Sequence, residues 1–217
     1  MATATPQAGQ AMVILNSASN YVVLAYSGIT NSGHSVLCGS LGLYPNSSVG
    51  GGIVIYCSGV RNIANAAANT AKLDLSNAYT DAMGRPAGAT LPPGADIGGQ
   101  TLYPGCYTES GTLNISKADL TLDALGDANA VFIFQVKTAA GNLVVGPGRK
   151  VILTNGAQAA NVFWAVSGYC SLDTTVSMVG TIMAYTSVTL NTGAVLKGRA
   201  LAENGNVTLL SNTITKP

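Results

Sequence analysis

Hydrophobic and polar positions alternate in short runs along most of this chain, and in its last third the runs return at nearly constant spacing. Residues 162–180, 181–198 and 199–215 each contain three strand-like runs of apolar, small and Thr residues, parted by Gly, Asn, Ser or Asp. A repeat of roughly 18 to 20 residues holding three such runs marks a solenoid in which each repeat is one triangular coil. Upstream, Thr121-Leu-Asp-Ala-Leu125, Val131-Phe-Ile-Phe-Gln-Val136, Asn142-Leu-Val-Val145 and Lys150-Val-Ile-Leu153 are also short, β-branched or aromatic, and bounded by turn residues. Tyr21 to Pro45 alternates apolar runs with Gly, Asn and Ser turns and reads as the first coil or two.

One stretch breaks the strand pattern. Between about residues 60 and 83 the period becomes helical, with Ala64, Ala68, Ala71, Leu75, Ala78 and Ala82 recurring at steps of four and three. Ser58 is the expected cap, and Gly84-Arg-Pro86 ends the pattern. A stripe made almost wholly of Ala predicts a helix lying very close against one flat side of the solenoid. Ala87 to Gly105 reads as a Pro/Gly linker, and the whole chain, 1–217, as a single domain.

Composition narrows the function. Only 9% of residues are charged, the mean hydropathy is +0.34, and the formal net charge is +1. The basic residues from Arg61 to Lys216 are scattered, which gives no electrostatic footprint for nucleic acid. No apolar run reaches the roughly 18 residues that a membrane helix needs, so no membrane partner is expected. Met1-Ala-Thr-Ala-Thr-Pro6 has neither a basic nor a long apolar region and reads as a mature N-terminus from which a secretion signal has gone. Cys38, Cys57, Cys106 and Cys170 lie too far apart for the usual zinc spacings. They are open to three disulfide pairings or to a role as small buried side chains, with Cys38 and Cys57 the nearest pair along the chain.

Several segments carry a family resemblance: Ser27-Gly-Ile-Thr-Asn31, Asp74-Leu-Ser-Asn-Ala-Tyr-Thr-Asp-Ala-Met-Gly-Arg-Pro86, Gly98-Gly-Gln-Thr-Leu-Tyr-Pro-Gly-Cys-Tyr107, Ala130-Val-Phe-Ile-Phe-Gln135, Asn155-Gly-Ala-Gln-Ala-Ala-Asn-Val-Phe-Trp164, Leu190-Asn-Thr-Gly-Ala194 and Gly198-Arg-Ala-Leu-Ala202. In this order, from about Tyr21 to the C-terminus, they resemble the microbial ice-binding (antifreeze) proteins. The resemblance implies a mainly β fold: a right-handed, discontinuous β-helix of triangular section, with N-terminal strands completing the stack beside C-terminal coils and one long α-helix alongside. It implies secretion, ice as the partner, one flat binding face, and at least one disulfide. No cofactor and no catalytic centre are expected, and the protein is expected to be a monomer.

Stacked strands repeat about every 4.7–4.9 Å, close to a lattice repeat of ice, so equivalent outward residues of successive coils form a ladder. In some members of the family the relevant strand carries Thr-Ala/Gly-X-Thr/Asn, and Thr186-Ser-Val-Thr189 is similar to it. With Val188 and Leu190 inward, Ser187 and Thr189 point outward and Thr186 sits at the edge. Aligning neighbouring coils adds Asn206 and Thr208 on one side, Tyr169 and Ser171 on the other, and then Asn142, Val144 and Thr121. Tyr169 and Val144 depart from a clean Thr array, which favours moderate ice binding.

Other residue types carry less. His34 lies in a turn-like stretch with no nucleophile motif. Asp119, Asp123 and Asp127 straddle strands and a Gly turn, where aspartates ordinarily cap turns rather than bind calcium. No metal is assigned. Trp164, Phe132 and Phe134 sit in the most apolar runs and read as core. Asn46, Asn114 and Asn206 match the glycosylation acceptor pattern, a motif short enough to arise by chance. Two competing functions, an adhesin or exopolysaccharide-binding module and a polysaccharide-cleaving enzyme, use related solenoids. The enzyme requires clustered carboxylates in a groove, whereas the nine Asp and Glu are dispersed.

Overall fold

The computed structural model describes residues 9–138 and 141–217; the N-terminal hexapeptide lies outside them. Its strands are all parallel and stack into three faces of a solenoid. The first, covered by a helix, runs in spatial order through Ala89–Thr90, Gly105–Glu109, Phe132–Val136, Val162–Val166, residues 181–184, residues 199–202, Tyr21–Ala25, Ser40–Leu43 and Arg61–Ile63. The second runs through Leu113–Ile115, Leu143–Val145, Cys170–Leu172, Val188–Leu190, Asn206–Leu210 and Gly28–Ser32. The third runs through Thr101–Leu102, Leu120–Asp123 and Val151–Thr154, then residues 177–179 and 195–197, and on to Thr213–Thr215, Ser35–Cys38 and Ile53–Tyr56. Two eight-residue strands, Ser177–Ala184 and Val195–Ala202, bend from the third face onto the first.

Spatial order therefore differs from chain order. Within Tyr21 to Pro45, the segment up to Cys38 is laid against the C-terminal coil, as the family resemblance implies: Val23 pairs with Ala200, Thr30 with Thr208, and Val36 with Thr213. The following coil, ending at Tyr56, caps that end of the stack. The chain then returns along the first face as a helix and winds coils upward until the two parts meet.

Alternation explains the core. Inward positions of the inner coils are mostly apolar and buried, and an aromatic column stacks through three successive coils, Tyr107 to Phe134 at 5.3 Å and Phe134 to Trp164 at 4.1 Å between ring centroids. The Trp164 indole N–H is satisfied by the Val179 carbonyl at 2.9 Å, as a buried donor requires.

The helix spans Ala66–Gly84, six residues later than the Ala pattern suggested. Residues 61–63 are held instead as a strand against Leu41–Leu43, and Ala64 takes a positive φ of 49°. Asn65, not Ser58, is the cap, its side chain accepting from the Ala68 N–H at 2.9 Å. Ala68, Ala71, Leu75, Ala78 and Ala82 are buried, and all but Ala68 join the cluster of Ile133, Phe163, Ala165, Met183 and Leu201. Lys72, also buried, donates to the carbonyls of Ala202 and Glu203 at 2.7 and 2.6 Å. At the other end Gln135 donates to the Ala82 and Arg85 carbonyls, closing the last turn.

Cys38 and Cys57 form a disulfide between the last two coils of the third face. Cys106 and Cys170, candidates for bridging in the sequence, keep their thiols: one is buried under the helix and the other inside the second face. Burial pushes both thiols up from the ordinary range.

Candidate functional site

The helix covers the first face, leaving two open sheets to compare. On the second face the register brings Asn114, Val144, Ser171, Thr189, Thr208 and Thr30 into one outward row across six coils. Beneath it, Leu113, Leu143, Cys170, Val188, Val207 and Ile29 on one side, and Ile115, Val145, Leu172, Leu190 and Leu209 on the other, are at most 1% exposed. These inward ladders set the backbones of successive coils at equal height, which makes the outer surface regular. One pleat earlier, a second row carries Asn142, Tyr169, Ser187 and Asn206.

The candidate residues are thus placed as follows. Val144, Ser171, Thr189 and Thr208 share one row, and Tyr169, Ser187 and Asn206 lie beside it. Tyr169 is 43% exposed and stands proud of its neighbours. Asn142 turns its side-chain oxygen back to the Tyr169 backbone N–H at 3.0 Å, bracing the corner. Thr186 is exposed at the edge between the first and second faces. Thr121 does not belong here: it pairs with Thr101 and Ile152 on the third face.

Two members of the row were missed, Asn114 and Thr30. Leu113-Asn-Ile115 repeats the in-out-in pattern of Leu143-Val-Val145, a local signal. Ile29-Thr30 repeats Val207-Thr208, but the two segments are 178 residues apart and adjoin only because the stack is discontinuous.

Electrostatics separate the two open faces. No Lys, Arg, His, Asp or Glu occupies the rows of the second face from Asn114 to Thr30. Beyond Asn114, the end coil carries Asp96. Burial pushes its carboxyl up, but hydrogen bonds from the Ser116 hydroxyl and the Gly98, Ser116 and Lys117 backbones hold it below the usual carboxylate range. The third face exposes Lys150 and Lys197 among Ile152, Val195, Val54 and Tyr56. Asp119, Asp123 and Asp127 accept from the backbones of Lys150, Leu125 and Asn129 respectively and serve as turn caps. Among the described residues no group of three or more His, Cys, Asp or Glu is placed to hold a metal, and no helix is long and apolar enough to cross a membrane.

The family described as Ice-binding-like matches residues 23–215. Curated relatives include an ice-binding protein of Nostoc sp. (strain HG1), 38% identical over 93% of this chain and 73% of that protein. Another, from Colwellia sp., is 35% identical over 97% of this chain and 86% of that protein. The crystal structure of an ice binding protein from an Antarctic biological consortium superposes with a TM-score of 0.92 at 44% identity, covering 98% of this chain and 96% of that one. That of an ice-binding protein from the Antarctic ascomycete Antarctomyces psychrotrophicus gives 0.87 at 33% identity, covering 94% and 98%.

Proposed function

Because this chain belongs to the ice-binding-like family, matched from residue 23 to 215, we propose that it adsorbs to ice through the second face of its solenoid. The observation that carries this reading is the uncharged, in-register row Asn114, Val144, Ser171, Thr189, Thr208 and Thr30. Strand stacking repeats it about every 4.7–4.9 Å, so hydroxyl and methyl groups recur at a spacing close to that of an ice lattice. The hydroxyls order water and the methyls cage it. A charge would impose its own hydration geometry, which is why the third face, with Lys150 and Lys197, is the poorer candidate.

Adsorbed molecules curve the growing ice front between them, lowering the local freezing point and suppressing recrystallisation. Val144 and the protruding Tyr169 interrupt the hydroxyl pattern on one half of the face, which supports moderate activity. The Cys38–Cys57 disulfide supports an extracellular setting. We assign the protein ice as its partner, a monomeric state, no reaction and no cofactor. No feature of the second face favours a polysaccharide ligand over ice.

The test is Thr189→Tyr. Thr189 sits in the row between Ser171 and Thr208, half-buried and outside the core, so the ring breaks the flat surface at little expense in stability. Thermal hysteresis falls steeply while the circular dichroism spectrum and melting temperature hold. Thr80→Tyr, on the exposed side of the helix, keeps full activity. Full hysteresis in the Thr189 variant, with loss from a change on the third face, would move the site.

A further inference from the structure

The hydroxyls of the proposed ice face are not equivalent. Among the described residues, the Ser171 and Thr189 side chains make no hydrogen bond within the protein, so their O–H groups rotate freely toward solvent. Thr208 differs. Its Oγ1 accepts from the Asn206 Nδ2 at 2.9 Å and from the Thr30 Oγ1 at 3.0 Å. A threonine hydroxyl has two lone pairs and one proton. Held by two protein partners, the Thr208 hydroxyl is no longer a free rotor and offers water a single site of fixed direction.

The three residues come from two distant parts of the chain. Asn206 and Thr208 are two apart on one strand and so emerge on the same side, while Thr30 is the register partner of Thr208 on the strand delivered by the N-terminal segment. Thr30 is exposed and the other two are half-buried, so the cluster lies at the surface.

Resting on the reading of this face as the ice-binding surface, we infer that Thr208 is the water-anchoring residue of the site and that Asn206 and Thr30 are positioning residues acting through it. A hydroxyl held in one direction orders its water before ice arrives, so the entropy of orienting that water is lost on folding rather than on adsorption. At Thr189 the rotor must be frozen on contact. The strongest point of the face therefore sits at the junction between the C-terminal and N-terminal coils, not at the centre of the longest local repeat.

The experiment compares Thr208→Val, Thr189→Val, Asn206→Ala and the double variant Asn206→Ala/Thr208→Val, with Thr30→Val as a further removal of one donor. Melting temperature and crystal-shape assays run on each. Thr208→Val lowers hysteresis at fixed concentration by roughly threefold or more, the scale of losing one ordered bridging water, and Thr189→Val lowers it distinctly less. Asn206→Ala and Thr30→Val lower it in part, and Asn206→Ala adds nothing once Thr208 is Val, which a purely structural role would not produce. Equal effects at Thr208 and Thr189, or additive effects of Asn206 and Thr208, overturn the inference while leaving the face assignment standing. Full hysteresis in Thr189→Tyr removes the face assignment and this inference with it.

Discussion

Replacing Cys38 and Cys57 together by Ser tests how the open end of the stack is held. The bridge joins residues 19 apart in sequence, enclosing the coil that ends at Tyr56. Its Ile53–Tyr56 strand has a partner on one side only, and the inward Ile53 and Ile55 are half-buried where inner coils bury their equivalents completely. Loop-closure entropy for a loop of this size gives about 3 kcal/mol. With an unfolding entropy near 2.1 cal/mol/K per residue, a chain of 217 residues then loses about 7 °C in melting temperature if it unfolds as one unit. Calorimetry with and without reductant is the assay: reductant lowers the wild-type transition by the same amount and leaves the variant unmoved. Where the end coil frays on its own, the loss appears instead as faster amide exchange over Ile53–Tyr56. An unchanged transition together with unchanged exchange refutes the reasoning. Alkylation checks the premise: the unreduced, denatured protein should take two labels, at Cys106 and Cys170, and the reduced protein four.

The other expectations are shorter. Hysteresis should stay flat between about pH 5 and 9, because no group of the proposed face ordinarily titrates there; a fall across the range in which histidines change charge would implicate His34, exposed one residue from Ser35 and two from Ser32 at the adjoining corner. Burial pushes the Lys72 ammonium down to about 8, partly opposed by Glu203. At this site the unfolded chain then binds more protons than the folded one above that pH, so the Lys72 contribution to stability grows from about pH 8 toward 10, opposed by the raised Cys106 and Cys170 thiols. In denaturant titrations the stability difference between wild type and Lys72→Met should shift in favour of the wild type from about pH 8 to 10, and a difference that stays constant with pH refutes the assignment. Phe134→Ala empties the middle of the stacked column between Tyr107 and Trp164 and should lower stability by about 3–5 kcal/mol without changing ice shaping by the folded fraction; loss of shaping at full folding would tie the core directly to the face.

The parts of the molecule legible in sequence are those governed by a local period. The Ala stripe follows from a spacing of three and four, and the in-out alternation around Thr189 from a period of two. Both are fixed within a few residues. The helix start escaped because Arg61–Ile63 takes a strand conformation imposed by Leu41–Leu43, a tertiary effect that helix propensity does not contain. Thr121 was misplaced for a different reason. Alternation is identical on every face of a triangular coil, so it identifies an outward residue without saying which face it leaves from. Five residues after Ile115 the chain is already on the third face, in Leu120–Asp123. Thr30 and the burial of Lys72 depend on contacts spanning well over a hundred residues, and no local window contains them.

Those long-range contacts explain why the coils are wound out of order. A solenoid wound straight through would carry its most regular hydroxyl row on consecutive local repeats, and each part of the face would form with its own coil. Here Thr189 and Thr208 do lie on consecutive repeats, but Thr30 joins the row only after the N-terminal coil has docked onto the C-terminal one. The helix crosses that same junction: Lys72 donates to Ala202 and Glu203, while Leu24 and Leu201, paired in register, pack in the cluster beneath it. The joining of the two halves and the docking of the helix thus share one set of contacts. Since these contacts have very high sequence separation, closure is the step at which most chain entropy is lost before contacts reward it. Before closure the row lacks Thr30 and its hydrogen bond to Thr208, so the end of the face nearest the junction is completed only with the finished fold.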